Sequence, residues 1–96
     1  MISLALAAAL TSMQGTIAYR VAVRGPVGSY VIVAAQPPPG WTAAFCSLRL
    51  CAVGHVPVTI AASGISYVDL HLYPTARPTH GTAFVTARGT TLRLRI

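Results

Sequence analysis

From Thr16 to the C-terminus the chain alternates apolar and polar positions with a period of two, broken at short intervals by glycine and proline. That is the period of β-strands, and no helical repeat follows the first dozen residues. Thr16 to Arg24 is the clearest case: Ile17, Tyr19, Val21 and Val23 lie on one face, and Ala18, Arg20, Ala22 and Arg24 on the other. After the turn cluster Gly25 to Ser29, the β-branched run Tyr30 to Ala35 suits a strand inside a sandwich. Pro37-Pro38-Pro39 must end it, because proline donates no ladder hydrogen bond. Gly40 permits a sharp bend, and a third strand then begins with Trp41, Ala43 and Phe45 on one face, which puts the indole where two sheets close.

Ser47 to Leu50 makes the crossing between two cysteines. His55 to Ala61, Ile65 to Tyr73, Thr79 to Ala87 and Thr90 to Ile96 complete the series, broken at Ser63-Gly64, Pro74 to Pro78 and Arg88-Gly89. Strands at this spacing predict an all-β fold, an immunoglobulin-like antiparallel β-sandwich of about seven strands. A parallel sheet is excluded, since no segment is long enough for crossover helices. On the last strand Leu92, Leu94 and Ile96 alternate with Arg93 and Arg95; arginines there also protect a terminal strand from edge-to-edge pairing.

The first residues read differently. Met1 to Leu10 is a short apolar segment of the length of a signal-peptide core, too short for a transmembrane anchor. Residues 1–15 are therefore expected to be a signal peptide or apolar leader and residues 16–96 the sandwich, which implies a secreted or cell-envelope protein. The match is imperfect: no Lys or Arg precedes the apolar stretch, and Ala7-Ala8-Ala9 as a cleavage site leaves a very short core. The alternative use of the segment is a first strand or short helix of the fold. No run is long enough for a transmembrane span.

In an exported protein Cys46 and Cys51 are expected to form a disulfide closing a tight hairpin, for which the chain-entropy relation gives about 2 kcal/mol. Reduced core thiols are the alternative. A metal or redox pair is disfavoured, because C-x4-C is the spacing of neither zinc modules nor thioredoxin-like enzymes, and no further ligands sit nearby. No metal and no cofactor is expected.

Charge changes the picture more than size does. Only 8% of the 96 residues are charged while 54% are hydrophobic, too apolar for disorder. All seven positive side chains are arginines, there is no lysine, and Asp69 is the only acid, giving a formal net charge of +6. Most arginines thus have no acidic partner within the chain; they either serve solubility alone or attract an anionic surface, an anionic polysaccharide or another envelope protein. Nucleic acid is not the expected partner: the arginines lack interleaved aromatics along the chain, and no RNP-type pattern occurs.

Two stretches resemble the secreted bacterial immunoglobulin-like and fibronectin-like modules, including the domain beside the NPCBM module of α-galactosidases. They are Pro38-Pro39-Gly40-Trp41-Thr42 and Gly81-Thr82-Ala83-Phe84-Val85-Thr86-Ala87. The region Trp41 to Cys51 and the strand end Val68-Asp69-Leu70-His71-Leu72-Tyr73-Pro74 are similar to a subset of surface-protein modules. The resemblance spans Thr16 to Ala87. It implies a sandwich acting as spacer, packing partner or binding surface, with no shared active site. One departure is Ala61-Ala62-Ser63-Gly64, which stands where the family has a Pro-Gly turn.

Catalysis finds no support in the residue pattern. A single carboxylate rules out paired-acid chemistry within one subunit, and no nucleophile elbow occurs. His55, His71 and His80 are isolated; His71 shares a strand face with Asp69, which suggests a small polar pair. The expected function is a non-catalytic exported interaction module at the cell envelope. Its expected binding surface comprises Arg20, Arg24, Arg93, Arg95 and Tyr73. A carbohydrate-binding module, with Tyr73 as the exposed aromatic and Trp41 filling the core, is the alternative. A homo-oligomer assembling by strand exchange through the leader segment or Thr90 to Ile96 is a third reading.

Overall fold

Among the described residues, nine strands build two antiparallel sheets, and their inward residues are those the period-two pattern selects. The structure is a computed structural model describing residues 1–10, 15–46, 51–75 and 77–96; the crossing expected at Ser47 to Leu50 lies outside them. The strands are β1 (Ser3–Leu10), β2 (Ile17–Arg24), β3 (Tyr30–Gln36), β4 (Trp41–Cys46), β5 (Cys51–Val53), β6 (His55–Thr59), β7 (Ile65–Pro74), β8 (Thr82–Ala87) and β9 (Thr90–Arg95). Sheet A has the order β1-β2-β7-β4-β5, and sheet B the order β6-β3-β8-β9.

The expected β-sandwich is therefore present, with nine strands among the described residues in place of about seven. Leaving out β5 and β6, the neighbours β1-β2-β7-β4 over β3-β8-β9 follow the strand order of an immunoglobulin constant-type sandwich. The additional strands come from one segment. The chain runs along the edge of sheet A as β5, turns at Gly54 (φ 83°) and continues along the edge of sheet B as β6. Gly54 belongs to both sheets: its N–H donates to the Ala43 carbonyl at 3.1 Å, and its carbonyl accepts from the Ala35 N–H at 2.8 Å. The left-handed φ explains why a glycine stands there.

Met1 to Leu10 takes the strand option in this fold. Ser3 to Leu10 pairs with β2 from Ser3↔Arg24 to Leu10↔Ala18, with a register shift between Leu6 and Ala8. Ile2 is buried in the core, and the Thr90 hydroxyl donates to the Ile2 carbonyl at 2.9 Å.

Between the sheets, Val23, Phe45, Leu70 and Leu72 of sheet A meet Val31, Val33, Val85 and Leu94 of sheet B, all essentially inaccessible to water. Burying such side chains contributes about 1.5 to 3 kcal/mol each, the main driving force for so small a body. Trp41 differs from the expected core position. It is half-buried at the rim, packs against the cluster's edge, and its Nε1–H donates to the Thr79 carbonyl at 2.7 Å. β6 tolerates Pro57 because it is an edge strand.

Candidate functional site

Because sheet A and sheet B share one core, the outward positions of their strands lie on two opposite outer faces, and strand register assigns each. On β2 the inward residues are Val21 and Val23, so Arg20 and Arg24 face out from sheet A. Arg20 lies opposite Asp69, Ala18 opposite His71, and Tyr73 opposite Thr42. On β9 the buried Leu94 turns Arg93 and Arg95 outward from sheet B. The five residues expected to form one binding surface thus divide: Arg20, Arg24 and Tyr73 on one face, Arg93 and Arg95 on the other. Alternation along a strand shows which residues share its face, but not which sheet that strand joins.

The outer face of sheet A is internally compensated. Arg20 Nε donates to Asp69 Oδ1 at 2.9 Å, and a second guanidinium nitrogen donates to Oδ2 at 3.3 Å. The hydrogen bond first, and the carboxylate's charge second, raise the Arg20 pKa above its already high ordinary value. Asp69 therefore partners Arg20 and not His71; His71 instead stacks on Tyr73 with ring centroids 6.1 Å apart. Arg20, Cys46, Tyr67, Asp69 and His71 border a cavity of about 480 Å³ that reaches inward to Val56 and Val68. Tyr67 is 59% exposed and Tyr73 only 39%, so Tyr67 is the more prominent aromatic on this face. Cys46 and Cys51 form the expected disulfide, pairing β4 with β5 at the same level as Asp69.

The outer face of sheet B has no such compensation. Phe84 lies directly opposite Arg93, and opposite Gln36 on its other side; Thr82 lies opposite Arg95. Tyr30 and Ile32 on β3, with Pro57 and Thr59 on β6, extend the same face. A third arginine closes it at one end. Arg88 and Gly89 form the two-residue β8–β9 turn with φ values of 45° and 80°, and the Arg88 guanidinium donates to the Tyr30 carbonyl at 2.6 Å. Positive φ at both turn residues is the hairpin geometry that matches strand twist, and an arginine is an uncommon occupant of it.

Since Asp69 is the chain's only acid and stands on the other sheet, Arg88, Arg93 and Arg95 face no side-chain carboxylate. Next to Phe84, the residues Gln36, Pro37, Pro38, Pro39, His80 and Thr82 outline a shallow recess of about 340 Å³. Sequence reasoning missed Phe84 and Arg88 as surface residues. Phe84 and Arg93 are nine positions apart, and only the β8–β9 hairpin register, readable from Arg88-Gly89, brings them together. The expected absence of interleaved aromatics holds along the chain but not across the strands.

Among the described residues, no three His, Cys, Asp or Glu side chains are grouped closely enough to hold a metal ion, and no helix is long and apolar enough to cross a membrane. Arg49 lies outside the described residues. No protein family, no curated protein and no solved structure matches this chain.

Proposed function

We propose that this protein is a non-catalytic extracytoplasmic binding module that holds an anionic polysaccharide against the outer face of sheet B. The observation that carries the reading is the placement of Arg88, Arg93 and Arg95 beside Phe84 and Tyr30 on a face without a carboxylate. Arginine forks match carboxylate and sulfate groups in pairs, and exposed aromatic faces accept sugar rings, so this mixture suits an acidic glycan. The disulfide supports an oxidising, extracytoplasmic setting.

Binding of a uronic-acid or sulfated glycan, measured by calorimetry at several salt concentrations, tests the proposal. Affinity is expected to fall as salt rises, and the double variant Arg93→Gln, Arg95→Gln to bind about tenfold more weakly. Equal binding by that variant and the native chain, at unchanged fold, overturns it.

A second reading rests on the opposite face. Tyr67 beside the Arg20–Asp69 pair offers an aromatic plane and fixed hydrogen-bonding groups suited to a neutral sugar. A neutral glycan whose binding is lost in Tyr67→Ala and insensitive to salt favours this reading over the first.

A further inference from the structure

Sandwiches have four edges, and three of these are guarded. β9 carries Arg93 and Arg95, β6 contains Pro57, and β5 is only three residues long, with its first residue tied by the disulfide. Charge, proline and shortness are the usual devices that stop a sheet from growing. β1 has none of these three: Ser-Leu-Ala-Leu-Ala-Ala-Ala-Leu is eight residues without a charge or a proline, its one irregularity is the register shift against β2 between Leu6 and Ala8, and among the described residues no strand lies on its outer side. Ala5, Leu6, Ala7, Ala8 and Ala9 are all exposed, Leu6 by 45% although it lies opposite the fully buried Val21.

The strand is nevertheless held firmly at its start. Ile2 is in the core, Leu4 packs against it, and the Ile2 carbonyl accepts from Thr90. Unpaired backbone groups and exposed methyls are thus presented on an anchored ribbon.

We propose that β1 is a self-pairing edge, through which a second copy of this chain adds its own β1 antiparallel across a two-fold axis. The two sheets A then form one continuous sheet of ten strands. A second copy is the fitting occupant because the exposed side chains are nearly uniform. Alanine methyls offer no pocket or charge that selects a foreign strand, whereas they fit the same methyls related by two-fold symmetry. An isologous contact uses up the edge on both copies, so the assembly closes at the dimer.

The formal charge of +6 on each copy opposes the approach. Salt therefore strengthens this association by screening, the reverse of its effect on glycan binding, so the two proposals succeed or fail separately.

Sedimentation velocity of the full chain over a wide concentration range, at low and high salt, is the test. The expected result is a monomer–dimer equilibrium that shifts toward dimer with salt, together with concentration-dependent slowing of amide exchange in β1. Ala5→Lys places two cations at the joint and is expected to weaken dimerisation ~tenfold or more, with folding checked by near-ultraviolet dichroism. Ala7→Pro, at the register shift where β1 and β2 are out of step, is expected to do the same without a new charge. Arg93→Gln should leave the dimer in place. A strict monomer under every condition, a dimer indifferent to both β1 variants, or open-ended polymers would each overturn the proposal.

Discussion

The indole N–H of Trp41 donates to the carbonyl of Thr79 at 2.7 Å, and this bond holds together two proline-rich segments that are far apart in sequence. Thr75 donates to the Gly40 carbonyl from both its N–H, at 2.8 Å, and its hydroxyl, at 2.9 Å; the Thr79 hydroxyl donates to the Pro39 carbonyl. The turn before β4 and the segment after β7 form one unit that closes this end of the sandwich and borders the recess beside Phe84.

Gly40 is the tightest point of that unit. Its φ is 86°, and a Cβ there would overlap the Arg77 carbonyl and stand 2.7 Å from Pro78 Cα, both backbone atoms that cannot swing aside. Gly40→Ala is expected to cost about 3 kcal/mol or more. Gly28→Ala, at φ 82° with nothing near the new methyl, is expected to cost only about 1 kcal/mol. Urea midpoints of the two variants separate backbone strain from collision; equal losses would contradict the close packing at Gly40.

Cys46 and Cys51 close a short loop, with a sequence separation of 5. The double variant Cys46→Ser, Cys51→Ser is expected to lose about 2 kcal/mol, chiefly by freeing the unfolded chain. Thermal unfolding with and without a reductant measures it. The native chain should fall to the variant's midpoint on reduction, and the variant should not respond.

Arg88 is a good place to divide stability from binding. Asparagine accepts positive φ more readily than arginine, while the substitution removes the hydrogen bond to the Tyr30 carbonyl. These effects oppose one another, so Arg88→Asn is expected to change stability by less than about 1 kcal/mol while lowering glycan affinity. Parallel denaturation and calorimetry decide it.

For Asp69→Asn, the expectation follows from the pair's exposure, with side chains 47% and 29% accessible for Arg20 and Asp69. The fold should survive with little change in its unfolding midpoint, while the freed Arg20 increases retention on a cation exchanger. Because pairing raises the Arg20 pKa, Arg20's contribution is complete below its unfolded pKa and fades only as pH climbs through the higher folded value. Varying pH around neutrality should therefore leave Arg20's own ionisation unchanged.

Strand positions and strand faces were legible because a half-buried strand displays its period directly. Val21 and Val23, Ala43 and Phe45, and Leu92 and Leu94 all turn inward as the alternation implies. Sheet membership was not, since it depends on pairings between residues far apart in sequence: Arg20 with Asp69 joins positions 49 apart. The switch at Gly54 was hidden for a related reason. His55 to Thr59 reads as an ordinary strand, and nothing local shows that three residues before it belong to the other sheet.

That switch gives the sandwich the construction of a bound book. Gly54 is the spine, where one unbroken chain is stitched into both covers. The fore-edge lies at β1 and β9, where the ties include the Thr90 hydroxyl on Ile2 and the Tyr19 hydroxyl reaching the Arg95 carbonyl at 3.4 Å. The two covers are thus joined along both long sides, by shared backbone at Gly54 and by side-chain hydroxyls at the fore-edge.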